Sequence, residues 1–380
     1  MLRIIIKSIS ALCFVLFITT LSWSAEPIRI GALFSVTGPP SFLGEPERNS
    51  ANMMVEKINK AGGIKGRMLK LVVYDTQGDA TKAVQAATRL IKEDKVSAII
   101  GPSTTGESMA VIPIVESAGI PLISCAAGIK ITEPIKKWVF KTAQNDSLAV
   151  DRIYDHLIKK KMNNVAILTV SDGFGSSGRE QLKLHAKDFG IAIVSDEIYG
   201  PKDTDMTAQL VKIRGSKAQA VICWGTNPGP AIVARNAKQL GLNIPLYMSH
   251  GVSSKKFIEL AGDAAEGILL PSGRVIVAPL LPKTDQQKQS LMAYWNDYKN
   301  NYKMEGDHFG GHAWDAIMLL KSAIEKAGDS PEAIRKELES TKNFKGIGGI
   351  FNFSSQDHAG LTKDAFVLVT IKNKEWMLVK

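Results

Sequence analysis

The chain is poor in cysteine, in aromatic residues and in long apolar runs, and each shortage removes a class of explanation. It has 3 cysteines in 380 residues. Cys13 falls in the first apolar run, and only Cys125 and Cys223 lie beyond it. No zinc-ligand spacing can be built from them. Each sits in or just after an apolar strand-like run, in a separate βα unit, so two buried free thiols are expected rather than a bridge. Aromatic residues make up 7% of the chain, and no basic stripe is interleaved with them. The formal net charge of +10 therefore does not argue for nucleic acid. The basic residues are scattered, as in Lys57, Lys60, Lys65, Arg67 and Lys70. The densest run, Lys159-Lys160-Lys161, falls at a predicted helix end, where cations suit the helix dipole. Such a surplus suits capture of anions or contact with a membrane partner.

The apolar run at 11–18 is too short, and too closely followed by Thr19, Thr20 and Ser22, to span a bilayer. Arg3 and Lys7 precede it, and the small residues Ser22 and Ser24 lie just ahead of a cut before Ala25. This is the pattern of a secretory leader. A cleaved signal over 1–24 and a soluble exported product are expected, with no membrane-spanning segment. The remainder has two-domain length and the composition of an ordinary globular protein.

What is present is a nearly unbroken alternation of strands and helices. Ile28–Phe34, Leu69–Tyr74, Ala98–Gly101 and Pro121–Ser124 read as strands. Between them, Glu45–Lys60 and Ala80–Lys92 read as helices, and another runs to Ala118. The first of these helices carries Ala51, Met54, Val55 and Ile58 at helical spacing, and Gly62-Gly63 stops it. The pattern then restarts. Helices are predicted over Asp146–Lys160, within Gly178–Gly190, and over Thr207–Gly215 and Ala231–Leu240. They alternate with strands at Val165–Val170, Ile191–Ile198, Ala220–Trp224 and Leu246–Met248. Two long helical patterns, near Gln286–Lys303 and Phe309–Lys326, precede strand-like pieces near Ala365–Ile371 and Trp376–Val379. This order predicts an α/β protein of two doubly wound parallel-sheet lobes with a ligand cleft between them. Lobe 1 is assigned to 25–143 plus 274–352, and lobe 2 to 144–273 plus 353–380. Short crossings near Thr142–Asn145 and Ser272–Val275 suit hinge closure.

The stretch Gly101-Pro102-Ser103-Thr104-Thr105-Gly106-Glu107-Ser108 ends a strand and opens a helix. It aims hydroxyls and free N–H groups at one point beyond a strand's carboxyl end, where open α/β sheets bind ligands. The alternative is a helix N-cap with no ligand. Gly173-Phe174-Gly175-Ser176-Ser177-Gly178 matches G-x-G-x-x-G. It sits in mid-chain, where a tight turn presenting Phe174 explains the glycines, and no cofactor is expected. Ser103, Asp172 and His250 are the residues a hydrolytic enzyme would use, but Ser103 lies outside a G-x-S-x-G elbow. His308 and His312 stand at i, i+4 with no third metal ligand in view, so an amphipathic helix face is the stronger reading. The cluster Tyr294, Trp295 and Tyr298 reads as core packing.

From Ala25 onward the chain resembles, over nearly its full length, the substrate-binding proteins of bacterial branched-chain amino-acid ABC transporters. The resemblance is carried by Ile30-Gly31-Ala32-Leu33-Phe34-Ser35 with Gly38 and Gly44, and by Ile58-Asn59-Lys60-Ala61-Gly62-Gly63-Ile64-Lys65-Gly66. Further matches are Gly101-Pro102-Ser103, Ile120–Ser124 and Ala261-Gly262-Asp263-Ala264-Ala265-Glu266-Gly267. It implies the type I periplasmic binding-protein fold, a periplasmic location, and capture of a small solute for an inner-membrane ABC permease. Thr105, with Thr104 beside it, would hold the carboxylate. Ala126 and Gly128 would help hold the ammonium and carboxylate. Phe174 and Thr226 fall at aromatic positions that close over the ligand, and Phe42 or Leu43 would touch its side chain. His250 falls where a Glu usually meets the ammonium.

That last departure carries weight. A buried, unpaired ammonium costs several kcal/mol, whereas an imidazole can donate to an anion. Gly128 and Thr226 also leave more room than the usual Thr and Tyr. The expected ligand is therefore a carboxylate without an α-ammonium, such as an aromatic or branched acid. The alternative is an amino acid held by another acidic residue such as Asp172. A monomeric receptor without catalytic activity, cofactor or nucleic-acid partner is expected. A ligand-sensing module is the rival from another class.

Overall fold

The computed structural model describes residues 26–379; the leader expected over 1–24 lies outside the described residues. The first half follows the alternation. In order come β1 (Ile28–Phe34), α1 (Ser41–Lys60), β2 (Leu69–Asp75) and α2 (Ala80–Lys92). Next are β3 (Ala98–Ile100), α3 (Thr105–Ala118), β4 (Leu122–Ser124) and β5 (Val139–Lys141). The five strands form one parallel sheet in the order β2-β1-β3-β4-β5. Burial on both faces explains why these strands read as continuous apolar runs. Ile30, Ala32 and Phe34 of β1 enter the core with α1, whereas Leu33 enters the opposite core with α2 and α3.

The second half repeats the device. It runs α4 (Asp146–Lys159), β6 (Asn164–Val170), α5 (Gly173–Ala186), β7 (Ala192–Tyr199) and α6 (Thr207–Gly215). It continues with β8 (Ala220–Trp224), α7 (Gly229–Gln239), β9 (Leu246–Met248), α8 (Lys255–Ala261) and β10 (Leu269–Gly273). The chain continues with α9 (Lys288–Tyr302), whose Tyr294 and Tyr298 hydrogen-bond to Ser50 and Asn49 of α1, and returns to the core of the first sheet with α10 (His308–Ala327) and α11 (Pro331–Glu339). A two-residue hairpin pair, β11 (Phe344–Lys345) and β12 (Ile350–Phe351), precedes β13 (Phe366–Lys372) and β14 (Glu375–Leu378). Helix α10 lies along α1, burying Ala313, Ile317, Leu320 and Ile324 in the core beneath β1.

Three features differ from the sequence reading. The second sheet, ordered β14-β13-β10-β9-β8-β6-β7, is not wholly parallel: β13 runs antiparallel to β10, and β14 to β13. Helix α1 begins at Ser41 rather than near Glu45, because its first turn serves the cleft instead of the core periodicity. There Leu43 lines the cleft and Gly44 packs on the Ser35 backbone. Phe353, Leu361 and Ala365 lie in the core beneath the five-stranded sheet, so the chain re-enters the second sheet only at Phe366. Cys125 and Cys223 are buried free thiols. Among the described residues, no helix is long and apolar enough to cross a membrane.

The two sheets point their carboxyl edges at each other. Beyond β3 and β4 come Ser103–Thr105 and Cys125–Gly128. Beyond β6, β8 and β9 come Asp172–Phe174, Thr226 and His250. The crossing after β5 is tied to α10 and to the β11–β12 loop. The Thr142 hydroxyl donates to the His312 carbonyl at 2.9 Å, and the Gln144 amide donates to the Gly348 carbonyl at 2.7 Å.

Candidate functional site

A cavity of about 360 Å³ opens between the facing strand edges, within the size range of small-molecule sites. One wall is the N-terminus of α3. Thr104 is its N-cap: the hydroxyl accepts the Glu107 N–H at 3.3 Å and donates to Glu107 Oε2 at 2.6 Å, while the Thr104 N–H reaches the same oxygen at 3.2 Å. This reciprocal capping box commits the Thr104 hydroxyl to the helix. Glu107 is further engaged by the Ser35 hydroxyl at 3.0 Å. Thr105 is different. Its oxygen accepts the Gly128 N–H at 3.3 Å, its hydroxyl proton is not spent on that bond, and the residue lines the cavity. The amides of Thr105 and Gly106 are first-turn groups with no intrahelical acceptor. Thr104→Val is expected to lower unfolding stability by about 1 kcal/mol in urea titrations.

The opposite wall is the N-terminus of α5. Asp172 caps it, taking the Gly175 N–H at 2.8 Å. Gly173 comes so close to α3 that a Cβ built on it would stand 3.2 Å from the Gly106 nitrogen. Nearby, Lys130 and Glu180 pair at 2.5 Å, joining the loop after β4 to α5. Two 14-residue helices thus aim their positive ends at one place, which is an arrangement for an anion. Gly175 and Gly178 serve packing rather than a phosphate: a Cβ on them would strike the Val170 carbonyl and the Trp224 indole.

The deep end is aromatic and imidazole-rich. The His250 ring lies edge-on to Phe174, Trp224 and Phe366, with centroids 5.4, 5.7 and 5.2 Å away. His308 and His312, on the first turns of α10, also line the cavity, with ring centroids 5.0 Å apart. Burial holds all three imidazoles below their ordinary value, His308 at about 3, and their mutual proximity adds to the effect on His250 and His312. Behind this end, the buried Lys141 ammonium donates to the Ala127 and Gly128 carbonyls at 2.6 and 3.3 Å and so fixes the loop beside Thr105. Burial pushes Lys141 down and Asp146 up, each partly offset by the other's charge. The acidic side chains on the cavity wall are Glu107, already engaged, and Asp172, half-buried and raised by burial.

Of the residues singled out from sequence, Leu43, Thr104, Thr105, Ala126, Phe174, Thr226 and His250 line this one cavity. Two do not. Phe42 turns away and packs edge-to-face on Phe309, 5.8 Å between centroids, against a second cavity behind α1. Gly128 sits behind Thr105, where a Cβ would meet the Thr105 methyl at 2.4 Å; it supports the wall rather than enlarging the space. The Ser103 hydroxyl donates to the buried Glu47 and accepts the Ser35 N–H, and His250 takes no hydroxyl among the described residues. The hydrolytic constellation is therefore not assembled. His308 and His312, read as a helix face, are cleft residues. The sequence reading also passed over Lys141 and Asp146. Among the described residues, no group of three His, Cys, Asp or Glu side chains is placed so that it could hold a metal ion.

Residues 27–375 match the model of a family described as periplasmic binding protein. The leucine-, isoleucine-, valine-, threonine- and alanine-binding protein of Pseudomonas aeruginosa is 28% identical, the match covering 84% of each chain. An extracellular ligand-binding receptor from Rhodopseudomonas palustris is 29% identical with a TM-score of 0.88, covering 93% of this chain and 99% of that one. The branched-chain amino-acid transporter substrate-binding protein LivJ of Streptococcus pneumoniae, solved with isoleucine, is 25% identical with a TM-score of 0.83, covering 93% and 99%.

Proposed function

The chain belongs to the periplasmic binding protein family, and from that premise we propose that it is the solute-capturing receptor of an ABC-type importer, closing its two lobes over a small amino acid. The observation that carries this reading is the convergence of the α3 and α5 N-termini on one point of the cavity wall. The ligand carboxylate takes the Thr105 hydroxyl and the first-turn amides of both helices. Asp172, the acidic wall residue not already saturated, meets the ammonium. Phe174 and Thr226 close from the second sheet and Leu43 and Ala126 from the first. The moving bodies are 26–143 with 274–365 against 144–273 with 366–379. Closure excludes water, which strengthens each polar contact, and presents a shape for a membrane permease to recognise. The receptor works in the periplasm as a monomer, and no bond is made or broken. Relatives named for leucine, isoleucine, valine, threonine and alanine support the amino-acid class.

A second reading has one specific observation in its favour. His250, buried and held neutral, stands where the resemblance places an acidic ammonium partner, so a carboxylate without an α-ammonium fits that wall as well. A thermal-shift screen of leucine, isoleucine, valine and threonine against their des-amino acids separates the two. The amino-acid reading requires the amino acids to stabilise more; larger shifts from every des-amino acid overturn it and support the second. Shifts from neither series would remove the receptor reading altogether. Thr105→Val is expected to weaken whichever acid binds by about tenfold in calorimetric titrations, and to lower the stability of the unliganded protein by about 1–3 kcal/mol because the buried Gly128 N–H loses its acceptor.

A further inference from the structure

The inner end of the cavity has a chemistry that carboxylate capture does not use. His250, His308 and His312 are 3%, 0% and 2% exposed, and all three line the cavity. Among the described residues, both ring nitrogens of His250 and Nδ1 of His312 have no hydrogen-bond partner, and the His308 ring has only the His250 backbone as one. A buried polar atom left unsatisfied costs about 1–3 kcal/mol, so imidazoles are expensive lining for an end that held only a hydrocarbon side chain. They come from different places: His250 follows β9, while His308 and His312 open α10. His308 is pressed against Gly273 at the second crossing, where a Cβ on Gly273 would stand 3.2 Å from His308 Cβ. The trio is thus assembled only where the two lobes join.

We propose that His250, His308 and His312 form a recognition subsite for an uncharged hydroxyl or carboxamide at the distal end of the ligand. The inference rests on the capture of a small carboxylate at the α3 and α5 N-termini and adds a second polar anchor to it. A neutral imidazole offers one donor and one acceptor, so neighbouring rings can give a proton to an oxygen and take one from the same hydroxyl or amide. A second carboxylate suits the place poorly. Asp146 lies with an oxygen 3.8 Å from His250 Nε2, and the surroundings keep the rings uncharged. An ammonium suits it no better, with Lys141 also acting on His250 and His312.

Calorimetric titration of the mature protein with matched pairs tests this. The pairs are valine and threonine, leucine and asparagine, phenylalanine and tyrosine, and 3-phenylpropionate with 3-(4-hydroxyphenyl)propionate. In the series that binds, the member bearing the hydroxyl or amide is expected to bind about tenfold tighter or more. His308→Leu should reduce that preference to under about threefold, whatever it does to the affinity for the apolar member. If His308→Leu fails to fold, the pairs measured on the unaltered protein still decide. Equal or tighter binding of the apolar member in every pair overturns the subsite while leaving the receptor reading standing, as does aspartate binding more tightly than asparagine. Binding of none of these acids overturns both.

Discussion

Gly173→Val is expected to abolish tight ligand binding while leaving the unliganded protein as stable as before. Gly173 is the first residue of α5, and a Cβ on it would lie 3.2 Å from the Gly106 nitrogen and 3.4 Å from the Gly106 Cα, across the cleft. Those neighbours are backbone at a helix start, so they cannot swing aside as a side-chain tip can. The position is not one of positive φ, and a side chain there carries no conformational penalty; valine instead of glycine restricts the unfolded chain. The conflict exists only when the lobes meet. Alanine gives a graded version, since a contact of that length asks its neighbour to yield by a few tenths of an ångström. The expected losses are up to about tenfold for alanine and a hundredfold or more for valine, a coupling of about 3 kcal/mol. Calorimetric affinity for the acid selected by the thermal-shift screen measures the loss. Small-angle scattering should show the valine variant keeping its unliganded radius of gyration at ligand concentrations that contract the unaltered protein. Affinity within threefold of the original would mean that the lobes need not approach this closely to hold the ligand.

The parts of the molecule that follow local rules could be read from the chain. Period and punctuation place β1, α2, β6 and the end of α3 within a residue or two, because each core strand is apolar on both faces and each helix is closed by glycine or capped by a hydroxyl or carboxyl. The carboxyl ends of those strands then dictate where a ligand can sit. Thr104 illustrates a signal present but under-used: Thr104-Thr105-Gly106-Glu107 has the capping-box spacing, which assigns its hydroxyl to Glu107 and leaves Thr105 as the residue facing the cavity. Elsewhere the signal is weak in itself. The hairpin between β13 and β14 turns through Asn373 and Lys374, both at positive φ. That pair of angles usually advertises itself as Asn-Gly, and lysine at the second position hides it. His308 and His312 are the informative case. Their spacing says only that one face of α10 carries imidazoles. That this face is the inner wall of the cleft depends on α10 lying along α1 and on the close approach of His308 to Gly273, contacts between segments far apart in sequence.

Those imidazoles also set the response to acid. His308 is held at about 3 against an ordinary 6.5, by burial. The unfolded chain therefore binds a proton there that the folded protein refuses. The stability this group confers is complete above pH 6.5 and drains away as the pH falls from 6.5 toward 3, at up to about 1.4 kcal/mol per pH unit. His250 and His312 are lowered by burial in the same sense. Buried carboxyls oppose them: Asp307, raised to about 7, and Asp315, raised to about 8, bind protons more readily when folded and so favour the folded state as the pH falls. The total curve blends both contributions, and the informative quantity is a difference between two proteins. With His308→Asn, the stability of the variant relative to the original should rise by about 1 kcal/mol for each pH unit below about 6, whatever its offset at pH 7. Urea titrations at pH 7, 6, 5 and 4.5 measure this. Parallel curves for the two proteins would show that His308 takes its proton without unfolding the cleft. In the folded protein that proton can be taken only at the inner wall of the cavity, so parallel curves would also predict a ligand affinity that changes with pH in the same interval, whereas a converging pair predicts an affinity that does not.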